Sequence, residues 1–432
     1  MHLDSVRNYI SHLLSTTLQT FMDPHFPPEI WRMVFRLATF TATCLNVMEW
    51  NPNCLFSSSY LPDPTQSYES TLPVKKTLTL VSRQFYEMSI EFMFGCIQIF
   101  DTRHALLLAD ILQSHRDSPA KWIKHLLVHL GPADGVHLMD STLITVSLPR
   151  CGNLTAFGWE SPGRFPHDKI QELNKGAQDL MRSIPWGISA LRWNRPLSGN
   201  HFTSLSRHTA LRHLSIARII SPNQRLVILP CVTHLETRDI RAWDVLRHWR
   251  MPSVSYLKVN WYNRGGGTDN EHFGSDPRTI HFFPDSIRRL SIYIDAYTMP
   301  FASFLPIITP FPKLETFSYE LDLIAEDPNN NPNWIGVHHP NLRHVGIHCR
   351  QSVPRPLERN FVFHWADFIT HHIQGLINSH AHLPRLTDVT FSIAWVFQER
   401  DYPRYDKTDE WRFFTNLFDS LSDSSIKFTY ES

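Results

Sequence analysis

The sequence predicts an α/β protein: a small helical module followed by an irregular solenoid of short parallel strands. Two patterns lead there. Apolar residues fall at helical spacing in two stretches near the amino end, and a six-residue strand-like phrase then recurs ten times along the rest of the 432 residues. The composition permits it, since 42% hydrophobic against 19% charged residues can build a large core and excludes a disordered chain. The length suits two or three domains or one elongated array.

Residues 1–22, MHLDSVRNYISHLLSTTLQTFM, are expected to form an amphipathic helix. Asp4, Arg7 and His12 interrupt its apolar side, so it lacks the continuous core of a secretory signal, and a single arginine argues against a mitochondrial presequence. In HFPPEIWRMVFRLATF (25–40), Ile30, Met33, Val34 and Leu37 make one apolar stripe, and Trp31, Phe35 and Ala38 make a second beside it. A surface helix needs one stripe to face its own core, so the other asks for a further cover. Pro27 and Pro28 suit a first turn, where backbone N–H groups lack partners, and Glu29 complements the positive helix end. Residues 49–74, rich in Pro, Ser and Asn, have no sustained helical period and read as an inserted excursion. Helical spacing resumes over 75–94, where Leu78, Val81, Phe85, Met88 and Phe92 step by three and four with Leu80 alongside. A strand-like CIQIF (96–100) and an apolar helix around HALLLADILQ (104–113) follow.

The recurring phrase is an apolar residue, another three on, and another two after that. It starts at Ile123, Leu154, Ile188, Leu211, Val232, Val254, Ile287, Leu314, Leu342 and Leu386. From Ile188 to Val254 the spacing is about 22 residues, inside the period of a leucine-rich repeat. The last two apolar places are two apart, so both point to one face of a strand, the interior of a stacked array. Proline precedes several phrases (Pro252, Pro312, Pro340, Pro384), as where a connection turns into a strand. One departure stands out. The leucine-rich pattern wants Asn or Cys eight residues after the first apolar place, and here those places hold Pro196, Ile219, Ile240, Tyr262, Asp295, Asp322, Arg350 and Ala394. The turns must therefore be satisfied in another way.

Lys plus Arg and Asp plus Glu are both 41, which removes the electrostatic footprint of a general nucleic-acid binder. No apolar run approaches the roughly 18–20 residues of a membrane span. Six scattered cysteines with no CxxC pair read as reduced thiols, consistent with a cytoplasmic or nuclear location.

Taken together, FPPEI at 26–30, Val34 with Phe35, and VSRQF at 81–85 resemble an F-box, and in particular the fungal F-box-like group. That group reads PPE-I-W-x-x-[IV]-F-R-L-A-T, then a variable insertion, then L-[TS]-L-V-S-R-x-[WF]. The match covers residues 23–100, with the insertion at about 49–74, and residues 101–432 would then be the degenerate leucine-rich-repeat-like solenoid. Phe26 stands for the usual Leu and Phe85 for the usual Trp, both still large and apolar. The resemblance implies a non-catalytic adaptor that docks on the Skp-type subunit of a cullin-RING ubiquitin ligase. Its docking residues would be Pro27, Pro28, Glu29, Ile30, Trp31, Val34, Phe35, Leu80, Val81, Ser82 and Phe85. The solenoid would recruit a protein substrate through the strand face opposite the core, which carries Arg192, His213, His234, Glu236, Tyr256, Lys258, Arg289 and His344. The alternative is a stand-alone interaction scaffold with a vestigial F-box, its second stripe covered internally.

Other chemistry is weakly signalled. His364, Asp367 and His371 share a helical face but have no HExxH frame and no cysteine, and Trp365, Phe368, Ile369, Ile373 and Leu376 make the segment an ordinary inserted helix. His213 and His234 could bridge a metal only across two strands. GGG at 265–267 lacks a following Lys-Ser/Thr, there is no GxSxG elbow, and CGN at Cys151 has no catalytic frame around it. Thirteen Trp and twelve Tyr without a basic stripe read as core residues and not as base-stacking platforms. The sequence thus predicts no enzyme activity, cofactor, metal, small-molecule ligand, nucleic acid or membrane contact.

Overall fold

The computed structural model describes residues 27–39, 64–114, 119–129, 136–160, 176–219, 226–237, 246, 248–261, 285–294, 304–322, 334, 336–351, 364–395, 415–417, 419 and 426–431. The helix expected over 1–22, residues 49–63 of the excursion and the GGG loop lie outside them. The chain forms two units, Met1–Ser215 and Ile216–Ser432.

The first unit opens with three helices, α1 (Pro28–Ala38), α2 (Pro64–Val81) and α3 (Arg83–Phe94). The Pro27 carbonyl accepts the N–H groups of Ile30 (2.9 Å) and Trp31 (3.3 Å), which starts α1 as its prolines predict. Helix α2 corrects two expectations. It begins at Pro64, inside the stretch read as an excursion, and carries Pro73 in its interior. Proline removes one helical N–H there, and the neighbouring Ser and Thr residues blur the apolar period, which is why the segment reads as a loop. The spacing over 75–94 is also two helices and not one. Ser82 is extended (φ −162°, ψ 165°) and its side chain accepts the Phe85 N–H, so it caps α3. The apolar steps still converge: Leu78, Phe85 and Met88 form one core with Phe35, and Trp31, Val81 and Phe92 pack against it.

Next come β1 (Cys96–Ile99), α4 (Thr102–Ser114), β2 (His125–His129), α5 (Val136–Thr142), β3 (Ala156–Glu160), α6 (Ala177–Ser183), β4 (Ala190–Leu197), α7 (Gly199–Leu205) and β5 (His213–Ile219), within which the two units divide. Helix α4 buries Ala105, Leu108, Ala109 and Leu112. Strands β1 to β4 pair in parallel, in chain order. Leu126, Phe157 and Leu191 lie side by side, as do Val128, Trp159 and Trp193, all essentially inaccessible. Beneath this sheet Arg195 Nη1 donates to both carboxylate oxygens of Asp140 of α5 (2.8 and 2.9 Å), and the Trp159 ring lies 4.6 Å from the guanidinium. Gly176 closes the site: its φ of 85° favours glycine, and a Cβ there would sit 2.9 Å from the Asp140 carboxylate.

The second unit holds β6 (His234–Thr237), β7 (Tyr256–Trp261), β8 (Arg289–Ile294), the short α8 (Leu305–Ile308), β9 (Thr316–Asp322), β10 (His344–Gln351), α9 (His364–Asn378), β11 (Asp388–Trp395) and β12 (Lys427–Glu431). Its strands are again parallel and in chain order. Leu257, Leu290, Phe317, Val345 and Val389 form one buried row, and Val259, Ile292, Tyr319, Ile347 and Phe391 the next. Behind them Phe304, Trp334 and His372 of α9 pack on Phe317 and Tyr319. The Tyr319 hydroxyl accepts the indole N–H of Trp334 (3.3 Å) and lies 3.2 Å from His372 Nδ1.

All ten phrases are strands in chain order, the arrangement a solenoid needs, and their turns are satisfied without an asparagine ladder. The N–H of the first apolar residue closes a tight turn onto the carbonyl three residues back, as in Leu154 to Cys151 (3.0 Å) and Leu314 to Phe311 (3.0 Å). The next two N–H groups fork onto one carbonyl of the preceding repeat, as Thr155 and Ala156 do on Lys124, and Arg343 and His344 on Glu315. Side chains add hooks: Asn153 donates to Lys121 O, Ser253 to Pro230 O and Asn341 to Pro312 O. Strand β12 was not foreseen, because its repeat begins on the polar Ser425.

Candidate functional site

The three-helix part of the first unit answers which stripe of α1 is internal. Phe35 is fully buried, its ring 5.1 Å from Phe85 and 5.8 Å from Trp31, so the Trp31–Phe35–Ala38 stripe is the inward one. The other stripe is open: Ile30 is 39%, Met33 54% and Leu37 61% exposed. On α2, Leu80 is 82% exposed. Pro27, Pro28, Glu29 and Ser82 are also exposed, and Val34 and Val81 are half-buried. The eleven residues predicted to dock therefore separate. Phe35 and Phe85 belong to the core and have little surface to offer a partner; Trp31 is shared; Ile30, Leu80 and the prolines are free. Met33 and Leu37, absent from that set, complete the open face. Periodicity had placed both in the Ile30 stripe, but it gives a stripe no direction.

The strand face opposite the core runs in register across the second unit. One row reads His234, Tyr256, Arg289, Thr316, His344, Asp388 and Lys427, and the next Glu236, Lys258, Ser291, Ser318, Gly346, Thr390 and Thr429. The expected mixed-charge surface is present only in part. Tyr256 (2% exposed) and Glu236 (8%) are buried, the His234 ring packs 5.4 Å from Tyr256, and the second row changes from charged to small uncharged residues after Lys258. Burial holds the Tyr256 hydroxyl above its ordinary pKa and lowers that of His344 despite the nearby Asp388. Parallel ladders are commonly covered on both faces, and strands about 4.8 Å apart let neighbouring rings close over one another.

In the first unit Arg192 is paired with Glu160, which also meets His129 Nδ1 at 3.3 Å; the Phe100 ring stacks on His129 at 5.3 Å. His213 is half-buried, and desolvation pushes its pKa down to about 4. His371 is exposed on α9, while the side chains of His364 and Asp367 lie outside the described residues. Among the described residues no group of three His, Cys, Asp or Glu is disposed to hold a metal. Cys151 is fully buried and its thiol is pushed up to about 12, which disfavours the thiolate a nucleophile needs. Among the described residues no helix is long and apolar enough to cross a membrane.

A third surface was not foreseen. At the leading edge of β8 to β11 a cleft of about 170 Å³ is lined by Arg288, Lys313, Glu315, Asn341, Arg343 and Arg385. These residues sit just before or just after the first apolar place of consecutive phrases. Reading those two columns down the repeats would have revealed them.

No family model matches the chain, and no curated protein does. Among solved structures, a protein from Bacteroides fragilis determined by structural genomics is similar over 85% of this chain and 83% of its own, at 10% identity and a TM-score of 0.36, a likeness that shows neither family nor activity.

Proposed function

We propose that the protein is a non-catalytic substrate-recognition adaptor: its F-box-like helices dock on the Skp-type subunit of a cullin-RING ubiquitin ligase, and its strand repeats recruit a protein for ubiquitylation. One observation carries the reading. A helix that already buries one apolar stripe keeps Ile30, Met33 and Leu37 on the surface, at the residues where the sequence resembles an F-box. Scattered apolar residues need no explanation, but a continuous stripe along one helix face, bordered by exposed prolines, is what a partner helix packs against. Each large side chain buried there would contribute roughly 1.5–3 kcal/mol.

The test is a titration of the purified chain against a Skp-type adaptor, beside an Ile30→Asp/Leu37→Asp variant whose circular dichroism matches the parent. Sub-micromolar binding that disappears in the variant is the expected result. A folded parent chain that does not bind would leave the stand-alone scaffold as the better account.

A further inference from the structure

The last strand of the array carries an edge that is complementary to itself. Strand β12 pairs with β11 on one side, and among the described residues no strand lies on its other side. Such an edge invites another strand, and natural sheets blunt it with proline, bulges or inward-pointing charges. The sequence of β12, KFTYE, has no proline, and three residues that favour strands separate its two charges. Those charges stand at opposite ends with opposite signs, so they attract an antiparallel copy instead of repelling it.

The backbone fixes which registers are open. The Lys427 N–H donates to Thr387 O (2.8 Å), so Lys427 and every second residue after it direct their backbone groups at β11. Phe428 and Tyr430 turn theirs the other way. In an antiparallel pair centred on Thr429, these two residues form the hydrogen-bonded pairs with Tyr430 and Phe428 of a second copy. Lys427 then stands opposite Glu431 at both ends, and Thr429 opposite Thr429. These are the non-hydrogen-bonded pairs, where side chains come closest. Moving the centre to Phe428 or Tyr430 sets Lys427 or Glu431 opposite Thr429 and loses both ion pairs.

The core supports the same edge. Leu257, Leu290, Phe317, Val345 and Val389 are essentially inaccessible. Phe428 is next in their row and stacks on Phe391 (6.4 Å), yet it is only half-buried. A repeat array needs its terminal core covered. Antiparallel pairing brings Tyr430 of the second copy beside Phe428, an aromatic cross-strand pair that extends the row. On the opposite face Lys427 and Thr429 are exposed, and Lys427 makes no ion pair among the described residues.

We propose that β12 is a dimer interface: two copies of this chain join their β12 strands antiparallel about a twofold axis through Thr429. The contact is isologous, so it closes at two copies, whereas β12 against β1 of another copy would run on as a filament. The dimer is independent of the adaptor reading, since no residue of α1 to α3 takes part. A five-residue edge is a small interface, so association is expected in the micromolar range.

The test is sedimentation equilibrium of the full chain from about 1 to about 200 µM. The variants are Lys427→Glu and Glu431→Lys, each with circular dichroism matching the parent, run separately and as an equimolar mixture. Twofold symmetry places each substitution in the interface twice. The parent is expected to pass from monomer to dimer, and each single reversal to weaken the dimer at least about tenfold. The mixture is expected to dimerise again, because each new charge then meets its opposite on the other variant. A parent that stays monomeric throughout overturns the proposal. So does a dimer indifferent to both reversals, a mixture that stays monomeric, or a mass that climbs past two chains.

Discussion

Asp140 and Arg195 show what one buried pair demands. Both side chains are sequestered, and desolvation lowers the Arg195 pKa against the opposing pull of Asp140. Removing either charge strands the other, so Asp140→Ala is expected to cost about 3–5 kcal/mol in urea unfolding, while the double change to Asp140→Leu/Arg195→Met recovers most of it. Matching losses in single and double variants would show that the pair is unimportant and the packing is what matters. A second contrast separates core from surface on α1. Phe35→Ala is expected to lose about 3–5 kcal/mol, whereas Leu37→Ala changes stability by less than about 0.5 kcal/mol. Neither distinction was legible beforehand. Stripes identify which residues travel together, but which stripe faces inward depended on Phe85 across a helix junction, and nothing near Asp140 in the sequence points to a residue on a distant strand.

At the scale of elements, the strand phrases were legible because two apolar places two apart are a strong local signal. The place three residues before each phrase was not, although its carbonyl closes the turn in eight of the ten phrases among the described residues. It is filled by Ala120, Cys151, Pro185, His208, Leu229, Met251, Phe311 and Leu383, a set with no shared chemistry. What matters there is a backbone carbonyl, which any residue supplies. The same reasoning explains the misread helix at Pro64–Val81: composition suggested a loop, while packing on α3 stabilises a helix that its own residues only weakly favour. The junction itself is testable. Ser82→Ala removes the cap on the Phe85 N–H and is expected to cost about 1 kcal/mol, with helicity lost at the start of α3 by hydrogen exchange. Unchanged protection at Phe85 and Tyr86 would show that tertiary packing alone sets the boundary.

Over the whole molecule, buried histidines set a pH limit. Desolvation lowers His125, His201 and His213 to about 4, and His348 and His372 to about 3, against an unfolded value of 6.5. Between about 6.5 and about 4 the unfolded chain therefore binds more protons than the folded one, so stability present above that window is lost as pH falls through it. Thermal midpoints are expected to fall from about pH 7 to about pH 5, with several protons taken up on unfolding, before most carboxylates begin to titrate. A flat profile would mean these rings are solvated and titrate normally. A count of 25 histidines gave no hint of this, because exposure and not number decides it.

The forked hydrogen bonds have one more consequence. Most repeats offer a single carbonyl to two N–H groups of the next repeat, and among the described residues each strand pairs with its sequence neighbours. A segment leaving the ribosome thus finds the backbone acceptors of the preceding strand already synthesised, while some core side chains, such as Tyr319, are covered only when later residues arrive. Growth can proceed one strand at a time behind the advancing chain, with short loops to close at each step and little wait for distant partners.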